Sequence, residues 1–483
     1  MIRRSGVHGG LQLEAHNERS TARPLRRANP PAQLVLPVDQ HAGAPARPIV
    51  REGERVLHGQ PIAEPTGQVS AWLHAPASGR IIAIEPRPAP HRLGAPTLSI
   101  VIENDQRDDR AEPSPSIAFE QRSPAELLEQ IARGGVVGLG GAAFPLAAKL
   151  DSVRAARPLT LLLNGAECEP YITCDEMLMR ERAEEIVLGA RILLHASAAS
   201  ACAIALEAGS TLADAALRTA IANAHDERLR LVTVPNIYPA GGERQLIAAV
   251  FGLEVPYDGL PADIGLLCHN VGTAAAVAQW IRDGQPLTSR IVTVTGDCVR
   301  EPGNLDVRLG ASIRQLIEQC GGYTDRASRL IMGGSLMGLA LPDDDLPVIK
   351  ATNCIIAASH ADLQPRDREL PCIRCGACSE ACPAMLLPQQ LHWFSRLADL
   401  QALEAHGLMD CIECGCCDYV CPSQIPLVER FRETKPLLAR RRAERADARA
   451  ARERFEARAA RLERIAVEQR AALAHKRRVR RED

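Results

Sequence analysis

The sequence predicts a multidomain chain of α/β and α+β folds, with a small all-β domain first and a helical tail last. Its length of 483 residues exceeds what one hydrophobic core normally serves. Along the chain, short strands broken by Gly and Pro give way to strands that alternate with helical patterns. Nine of the 16 cysteines then fall in two tight groups near the C-terminus.

The composition excludes several classes of function. The net charge of −2 predicts no general affinity for nucleic acid, and 3% aromatic residues are too few for a platform that stacks single-stranded bases. Residues 1–4 are not followed by an apolar run, and no stretch reaches the roughly 20 apolar residues of a membrane span. We therefore expect a chain that is soluble or peripheral to a membrane, whose cysteines bind metal in a reducing cytoplasm.

Residues 34–104 predict a β barrel-sandwich, because short alternating strands are separated by turn signals in VREGERV, GQPIAE, SAWLHAPASGRIIAI and TLSIVI. The spacing resembles that of biotinyl and lipoyl carrier domains. A carrier domain needs an acceptor lysine, and the first lysine of this chain is Lys149. We therefore expect the domain to have a structural or docking role.

A polar linker over residues 104–123 leads into a predicted α/β domain at residues 123–287. Ser123 and Pro124 form a helix start, with an N-cap serine and a proline at the first helical position. Strand-like runs (LTLLLNGAE, ACAIALEA, LRLVTVP) then alternate with helical patterns at residues 175–196 and 211–225, which favours a largely parallel sheet.

Two further segments flank the cysteine region. Residues 288–360 predict a small α+β unit, in which strand-like runs surround a helix at residues 312–320. Residues 429–483 are rich in Ala, Arg and Glu and predict a long helical tail. This tail is either solvated or in contact with an acidic partner or lipid head groups.

The strongest signal is a pair of C-x-x-C-x-x-C-x-x-x-C-P motifs within residues 366–428. Each has the spacing of a bacterial ferredoxin, in which the fourth cysteine binds the other cluster. Three thiolates at these intervals can wrap one face of a [4Fe–4S] cubane, and the fourth iron must be reached from elsewhere. We therefore assign one cluster to Cys372, Cys375, Cys378 and Cys421, and the other to Cys411, Cys414, Cys417 and Cys382.

Zinc is the alternative occupant of these motifs. Two Zn(Cys)4 sites also need eight cysteines, but zinc ribbons usually pair C-x-x-C knuckles over longer intervals. The third cysteine and the terminal Cys-Pro of both motifs favour iron–sulfur clusters. Cys416 occupies a spacer position beside Cys417 and is interpreted as a non-ligand. Residues 386–409 look helical, and we expect the domain to conduct electrons rather than to catalyse a reaction.

A second signal is the glycine loop GLGGAAFP at residues 138–145, which runs into a helix that carries Lys149. Glycines let a backbone approach a phosphate, and Pro145 begins a helix whose free N–H groups favour an anion. A plain tight turn is the alternative. Three later segments, each compatible with ordinary loop or core, are NGAECEPY after an apolar strand, YPAGGE from Tyr238, and HNVGT from His269.

The order of these segments and the cysteine motifs resembles the C subunit of the Rnf (Rsx) electron-transport complexes, and beyond it the flavin-bearing, NADH-oxidising subunit of respiratory complex I. The resemblance spans residues 35–436 and rests on the paired cysteine motifs and on GLGGAAFP with NGAECEPYITCDEMLMRE. It implies an N-terminal barrel-sandwich, an FMN/NADH-binding α/β domain, a β-grasp-like ligand domain and a ferredoxin-type domain with two [4Fe–4S] clusters.

The resemblance also implies three sets of site residues. The FMN phosphate would lie against Gly138, Gly140, Gly141 and Lys149. The flavin would be surrounded by Asn164, Glu167, Tyr238, Gly241, Asn270 and Thr273. NADH would contact Phe144, Glu169 and Glu243. Two positions depart from the complex I pattern, since Leu139 replaces an Arg and Gly242 replaces a Glu. Cys168 and Cys174, which flank the site, are expected to be structural.

The function implied is that of a translocase-type oxidoreductase subunit at the cytoplasmic face of the bacterial inner membrane. NADH gives up two electrons together as hydride, whereas FMN can release them singly to the clusters. The partners would be integral-membrane subunits and ferredoxin or a similar carrier, with electron flow coupled to ion movement. Two alternatives remain: a relay or assembly subunit with an empty nucleotide site, and the flavin-and-cluster subunit of a soluble dehydrogenase or hydrogenase.

Overall fold

A computed structural model describes the chain over residues 7–90, 96–112, 118–152, 159–363 and 368–482. Residues 1–4, on which the absence of a signal peptide was predicted, lie outside these ranges. So do residues 366 and 367, the first two of the predicted cysteine region. Among the described residues, we find no helix with the length and apolar character needed to cross a bilayer.

The N-terminal domain is built from short strands that form two antiparallel sheets. In chain order its elements are α1 (Glu18–Thr21), β1 (Arg26–Arg27), β2 (Gln33–Pro37), β3 (Arg47–Pro48), β4 (Arg55–Val56), β5 (Pro61–Glu64), β6 (Leu73–His74), β7 (Gly79–Arg87) and β8 (Thr97–Asn104). One sheet has the strand order β2-β8-β7-β4 and the other β3-β5-β6. This is the barrel-sandwich that the turn signals predict.

The second domain alternates strands and helices. After a 3₁₀ turn at Phe119–Gln121 come α2 (Pro124–Arg133), α3 (Leu146–Ser152), β9 (Thr160–Gly165), α4 (Cys174–Glu181), α5 (Ala183–Ser197), β10 (Ala201–Glu207), α6 (Thr211–Ala224), β11 (Leu229–Val234), α7 (Glu243–Phe251), a 3₁₀ turn at Pro261–Ile264, β12 (Leu266–Asn270) and α8 (Val271–Asp283). All strand pairs are parallel, in the order β11-β10-β9-β12. The strand order reverses between β9 and β12, which is where ligands bind in open α/β sheets.

Two helix boundaries in this domain test the sequence reasoning. Ser123 caps α2 in a capping box with Glu126, as its position before Pro124 predicts. The helix predicted over residues 175–196 is two helices instead. The chain leaves helical geometry at Arg182, whose φ is −133° and whose guanidinium binds Asp306 of the next domain at 2.9 Å.

The third domain is the predicted α+β unit. Its elements are β13 (Ser289–Thr295), β14 (Gly303–Arg308), α9 (Ile313–Gln319), β15 (Ala327–Met332), β16 (Leu339–Leu341), β17 (Cys354–Ser359) and α10 (His360–Leu363). They form a six-stranded sheet in the order β1-β14-β13-β17-β15-β16. The N-terminal strand β1 therefore completes this sheet, by parallel pairing with β14. Buried residues of the barrel-sandwich and of this domain form one apolar core.

The fourth domain carries the cysteine motifs on short helices. These are α11 (Ala377–Glu380), α12 (Pro388–Arg396), α13 (Leu400–Ala405), a 3₁₀ turn at Leu408–Asp410, α14 (Cys416–Tyr419) and the start of α15 (Leu427–Glu482). Phe431 and Leu438 of α15 are buried in this domain, whereas the helix beyond residue 450 is almost entirely exposed. The predicted helical tail is therefore the continuation of a helix that begins in the domain.

Two buried cations join the first three domains. Lys350 is fully buried, and its ammonium group donates to the carbonyl oxygens of Trp72 and Gly135, each at 2.8 Å. Burial lowers the pKa of Lys350 to about 7. Arg290 donates to the carbonyl oxygens of Leu139 and Lys350. The glycine loop of the second domain is thus held by a side chain of the third.

Gly189 on α5 provides a test of the helix packing. A Cβ atom at Gly189 would fall 1.9 Å from the carbonyl oxygen of Ala274 on α8. We expect Gly189→Ala to lower the free energy of unfolding by about 1–3 kcal/mol, because overpacking outweighs the gain in helix propensity. Urea unfolding followed by circular dichroism measures this, with Glu184→Ala on the exposed side of α5 as control. An unchanged midpoint for Gly189→Ala would contradict the close approach.

Candidate functional site

A cavity of ≈ 520 Å³ lies at the carboxyl ends of β9 and β12. Its volume is within the range of pockets for small molecules and cofactors. The sequence-predicted residues that line it are Gly138, Gly140, Phe144, Lys149, Asn164, Glu167, Glu169, Tyr238, Gly241, Glu243 and Asn270. Gly141 and Thr273, also predicted, are not among the lining residues. Four separate segments of the chain therefore meet at the predicted place.

The glycine loop forms one wall of the cavity. The Gly138 N–H donates to the carbonyl oxygen of Phe144 at 2.8 Å, which closes the loop on itself. A Cβ atom at Gly140 would lie 3.4 Å from the Cβ of Asn270, so this glycine keeps the wall free of side chains. Thr273 is buried beneath the loop, and its hydroxyl accepts the Leu139 N–H at 2.9 Å. Thr273 therefore supports the loop instead of facing the cavity.

Lys149 and Glu243, which the resemblance assigns to different ligands, form an ion pair. The Lys149 ammonium group lies 2.7 Å from a Glu243 carboxylate oxygen and also donates to the carbonyl oxygen of Cys268 at 2.8 Å. Both side chains are partly exposed in the cavity wall. An anion that approaches Lys149 must therefore compete with, or join, the carboxylate of Glu243.

Glu167 caps the N-terminus of α4. Its carboxylate accepts the N–H groups of Asp175 and Glu176 and the thiol of Cys174, each at 3.1 Å. Burial raises the pKa of Glu167 well above its usual value, and the neighbouring Asp175 raises it further. One ligand atom each of Glu167, Cys174 and Asp175 lies within 4.8 Å of the others. Glu167 therefore serves as the N-terminal cap of α4.

Asp175 and Arg290 are two residues of this site that sequence reasoning missed. Asp175 lines the cavity, and the side-chain amide of Asn270 donates to it. Burial raises the pKa of Asp175 to about 6, although Asn270 and the nearby Arg290 both act to lower it. An acidic residue in the first turn after the NGAECEP segment was a signal for Asp175. Arg290 lies in another domain, and no local pattern marks it.

Glu169 holds a turn of the third domain against the cavity. Its carboxylate accepts the N–H groups of Leu336 and Met337 at 2.8 and 2.7 Å. A Cβ atom at Gly334 would lie 2.0 Å from the Glu169 carboxyl carbon, so a larger residue there would have to displace the Glu169 side chain. Burial raises the pKa of Glu169. Glu169, which the resemblance assigns to NADH, thus already accepts two hydrogen bonds from the protein itself.

Tyr238 and Ile412 connect the cavity to the cysteine domain. The Tyr238 hydroxyl donates to the carbonyl oxygen of Cys414 at 2.5 Å, and the Tyr238 backbone pairs with Leu11 of the N-terminal segment. Ile412 lines both the large cavity and a smaller cavity surrounded by cysteines. The wall between the two is therefore about one side chain thick at this point.

The eight motif cysteines line two small cavities in the interlocked sets that the spacing predicts. The Cys372 cage is formed by Cys372, Cys375, Cys378 and Cys421, and the Cys411 cage by Cys411, Cys414, Cys417 and Cys382. Among the described residues, neither cavity has a carboxylate in its wall, and Cys416 is buried outside both linings. Four thiols around a small cavity fit a [4Fe–4S] cluster, and by donor type alone they would also fit zinc.

Left-handed residues shape both cysteine loops. Gly376 and Gly415, at φ +84° and +80°, lie between the second and third cysteines of the two motifs. Arg374 and Glu413, at φ +57° and +58°, occupy the position before the second cysteine. This alternation turns three successive thiols toward one point, and glycine is the residue that adopts it at little cost.

Four family models match the chain in the order of its domains. An RnfC barrel sandwich hybrid domain matches residues 5–107, and a Nuo51 FMN-binding domain matches residues 131–279. An SLBB domain matches residues 291–340, and a 4Fe-4S dicluster domain matches residues 370–425. The architecture predicted from sequence is confirmed at this level.

Curated relatives whose names describe them as the C subunit of an ion-translocating oxidoreductase complex are similar to most of this chain. The protein of Pseudomonas aeruginosa is 46% identical over 96% of this chain and 59% of its own length. Those of Vibrio cholerae and Klebsiella pneumoniae are 43% and 42% identical, over 83% and 95% of this chain and 52% and 60% of their own lengths. The chain thus spans about three fifths or less of the length of these relatives.

Two solved structures of an NAD⁺-reducing [NiFe]-hydrogenase, in air-oxidized and H2-reduced states, also match. Each is 20% identical, with TM-scores of 0.47 and 0.48. The matches cover 63% and 67% of this chain, and 62% and 64% of the hydrogenase chains.

Glu207 lies at the end of β10 and lines a small pocket next to Glu167 and Glu169. We expect it to make the stability of the fold depend on pH. It is 8% exposed, and its Oε1 has no hydrogen-bond partner among the described residues. Burial raises the pKa of Glu207 to about 7, and Glu176 adds to the shift. The folded state therefore holds this proton more tightly, so stability is lost as pH rises through about 7.

We expect Glu207→Gln to remove this loss. At pH 8 the variant should exceed the wild type by about 1–3 kcal/mol, and at pH 5 by much less. Urea unfolding at both pH values measures the difference, with the exposed Glu227→Gln as control. Equal behaviour of the two variants at pH 8 would contradict the burial of an unpaired carboxylate.

Proposed function

Because this chain belongs to the family of C subunits of ion-translocating oxidoreductase complexes, we propose that it is the peripheral electron-transfer subunit of such a complex. It passes electrons between NADH and ferredoxin or another acceptor through FMN and two [4Fe–4S] clusters. The observation that carries this proposal is the shared wall at Ile412, which separates the large cavity from the Cys411 cage.

FMN fits the large cavity. The match to an FMN-binding domain model covers most of the residues that line it, and Gly138 and Gly140 leave part of the wall without side chains. In the proposed site, Gly138, Gly140 and Gly141 lie along the phosphate, with Lys149 as counter-charge. Asn164, Glu167, Tyr238, Gly241 and Asn270 surround the flavin, and Thr273 acts through the loop. Bound FMN supplies the conversion between two-electron hydride transfer and one-electron transfer.

NADH is proposed to enter from the open side of the cavity. Phe144 is 38% exposed there, and it offers a face on which a ring can stack. Glu243 is a polar group in the wall of the same cavity. When a phosphate neutralises Lys149, the Glu243 carboxylate is released from its ion pair and can accept hydrogen bonds from a ribose. Glu169 serves chiefly to hold the Met337 turn over the same opening.

We propose that the two cages pass electrons in a fixed order. The Cys411 cage borders the FMN cavity through Ile412 and Tyr238, and the Cys372 cage lies beyond it. Cys375 of the Cys372 cage is exposed, which suits exchange with a partner. We place the chain at the cytoplasmic face of the bacterial inner membrane, where integral-membrane subunits couple electron flow to ion movement.

A relay subunit without a working nucleotide site is the second candidate. Lys149 and Glu243, the charged groups proposed to bind FMN and NADH, are bound to each other in the structure. In addition, Leu139 and Gly242 replace charged residues of the complex I pattern. Flavin binding separates the two candidates.

Lys149→Met tests the phosphate site. We expect it to weaken FMN binding at least tenfold, or by about 1.4 kcal/mol, because the counter-charge is lost. Anaerobic titration of flavin fluorescence measures affinity, and bleaching of the bound flavin by NADH measures electron entry. Lys476→Met, the same change on the exposed tail, is the control. Wild-type protein that shows no bleaching at any FMN concentration would favour the relay.

Cys414→Ser tests the cages. Anaerobically reconstituted wild-type chain should hold about eight iron atoms and about eight sulfides, and Cys414→Ser should lose about half of each. Cys416→Ser is the matched control two residues away and should retain both clusters. Chemical analysis of iron, sulfide and zinc measures the outcome. Zinc in place of iron and sulfide in the wild type would overturn the redox function.

A further inference from the structure

The two cages are built by an internal repeat. The Cys411 motif repeats the Cys372 motif 39 residues later, α14 begins 39 residues after α11, and α15 begins 39 residues after α12. The left-handed residues follow the same interval, since Met385 and Gln424 both have φ +52°. Equivalent positions around the two cages can therefore be compared one by one.

Three equivalent positions differ in polarity. In the Cys372 cage the wall contains Gln389, His392 and Ser423, whereas the Cys411 cage has Val428, Phe431 and Ala384 at the matching positions. The Ser423 hydroxyl donates to the carbonyl oxygen of Pro371 at 3.0 Å and is therefore in use. Gln389 and His392 remain as side-chain donors in one cage, and the other cage has apolar groups in their place.

His392 is buried in the wall with an unused nitrogen. Its side chain is 2% exposed, and Nδ1 has no hydrogen-bond partner among the described residues. Such an atom inside a protein lacks the partner that buried polar groups normally have. A cluster in the cage would supply sulfur acceptors at this wall. Phe431, at the same position of the repeat, can supply no donor to the Cys411 cage.

Gln389 already contacts a cage cysteine. The Cys378 thiol donates to the Gln389 side-chain oxygen at 3.5 Å. A cysteine that binds iron has lost this proton, so the amide must then turn its NH2 group toward the sulfur. Gln389 thereby changes from acceptor to donor when the cage is filled.

The exposure of the cysteines and the charges near the two cages do not counteract the difference in hydrogen-bond donors. Cys375 is exposed, whereas Cys414, Cys417 and Cys382 are only 7–8% exposed. The cations near the Cys411 cage, Lys435 and Arg432, are both paired with Glu413 at 2.9 Å. Arg430, near the Cys372 cage, is likewise paired with Glu369. Arg374 lines the Cys372 cage, and the equivalent position of the repeat is Glu413. The hydrogen-bond donors, the exposure of Cys375 and the charge at this position are therefore the clearest contrasts between the two cages.

Resting on the proposed function, we propose that His392 and Gln389 donate hydrogen bonds to the sulfur atoms of the cluster in the Cys372 cage and give it the higher reduction potential. Hydrogen bonds to sulfur and solvent exposure both stabilise the reduced, more negative cluster. In each transfer the cluster in the Cys411 cage is oxidised by one electron, and that in the Cys372 cage is reduced by one. Electrons that enter at the flavin thus move outward.

Reciprocal substitutions at the repeat positions test this proposal. We expect His392→Phe to lower the reduction potential of one cluster, with at least a tenfold change in its one-electron equilibrium constant, or about 59 mV. Phe431→His should raise the potential of the other cluster. Both are measured by anaerobic redox titration with paramagnetic resonance, at equal iron and sulfide content. A His392→Phe variant with both potentials unchanged, or two variants that shift the same cluster, would overturn the proposal.

Two further measurements keep the test decisive. His392→Gln retains a donor and should keep the wild-type potential, so a potential that falls as far as in His392→Phe would count against the hydrogen bond. If His392→Phe does not assemble its cluster, Phe431→His alone decides by the presence or absence of the upward shift. These potentials need no flavin. A chain that fails to bind FMN but shows the shifts refutes the proposed function only, and unshifted clusters with normal flavin bleaching refute this inference only.

Discussion

The packing of the large cavity against the Cys411 cage is the contact on which the rest of the structure depends. Electrons pass between redox groups only over short distances, so the second and fourth domains must be held together at one place. Tyr238 provides a hydrogen bond across the seam, and Ile412 provides the common wall. The N-terminal segment closes the same seam, since the Gly10 N–H donates to the carbonyl oxygen of Ala381 and Leu11 pairs with Tyr238.

The first and third domains stabilise the residues on the cavity side of this contact. Glu169 fixes a turn of the third domain beside the cavity, and Arg290 fixes the glycine loop. The barrel-sandwich shares its apolar core with the third domain, and Lys350 ties both to the second. The barrel-sandwich resembles a carrier domain but lacks the acceptor lysine. Its shared core with the third domain and the hydrogen bonds of Lys350 are the contacts that such a structural role would need. Its described contacts are those of a scaffold.

The cysteine loops and the start of α2 could be predicted because short stretches of sequence determine them. Cysteine spacing defines the loops because three ligands of each cage come from one short segment, and Ser123 marks its helix because a cap acts on the next three residues. Contacts between distant segments were beyond the sequence. The pairing of Lys149 with Glu243, the burial of Thr273 under Leu139 and the approach of Arg290 all depend on the tertiary arrangement. The roles of the cavity residues toward FMN and NADH remain proposals.

The exchange of the fourth cysteine between the two motifs has a consequence for how the domain assembles. The 39-residue repeat places two copies of one structural unit next to each other in the chain. Cys382 and Cys421 each complete the other copy's donor set, so neither copy can fill its cage when separated from its twin. The two copies can therefore fill their cages only together, although residues in the walls of the two cages differ.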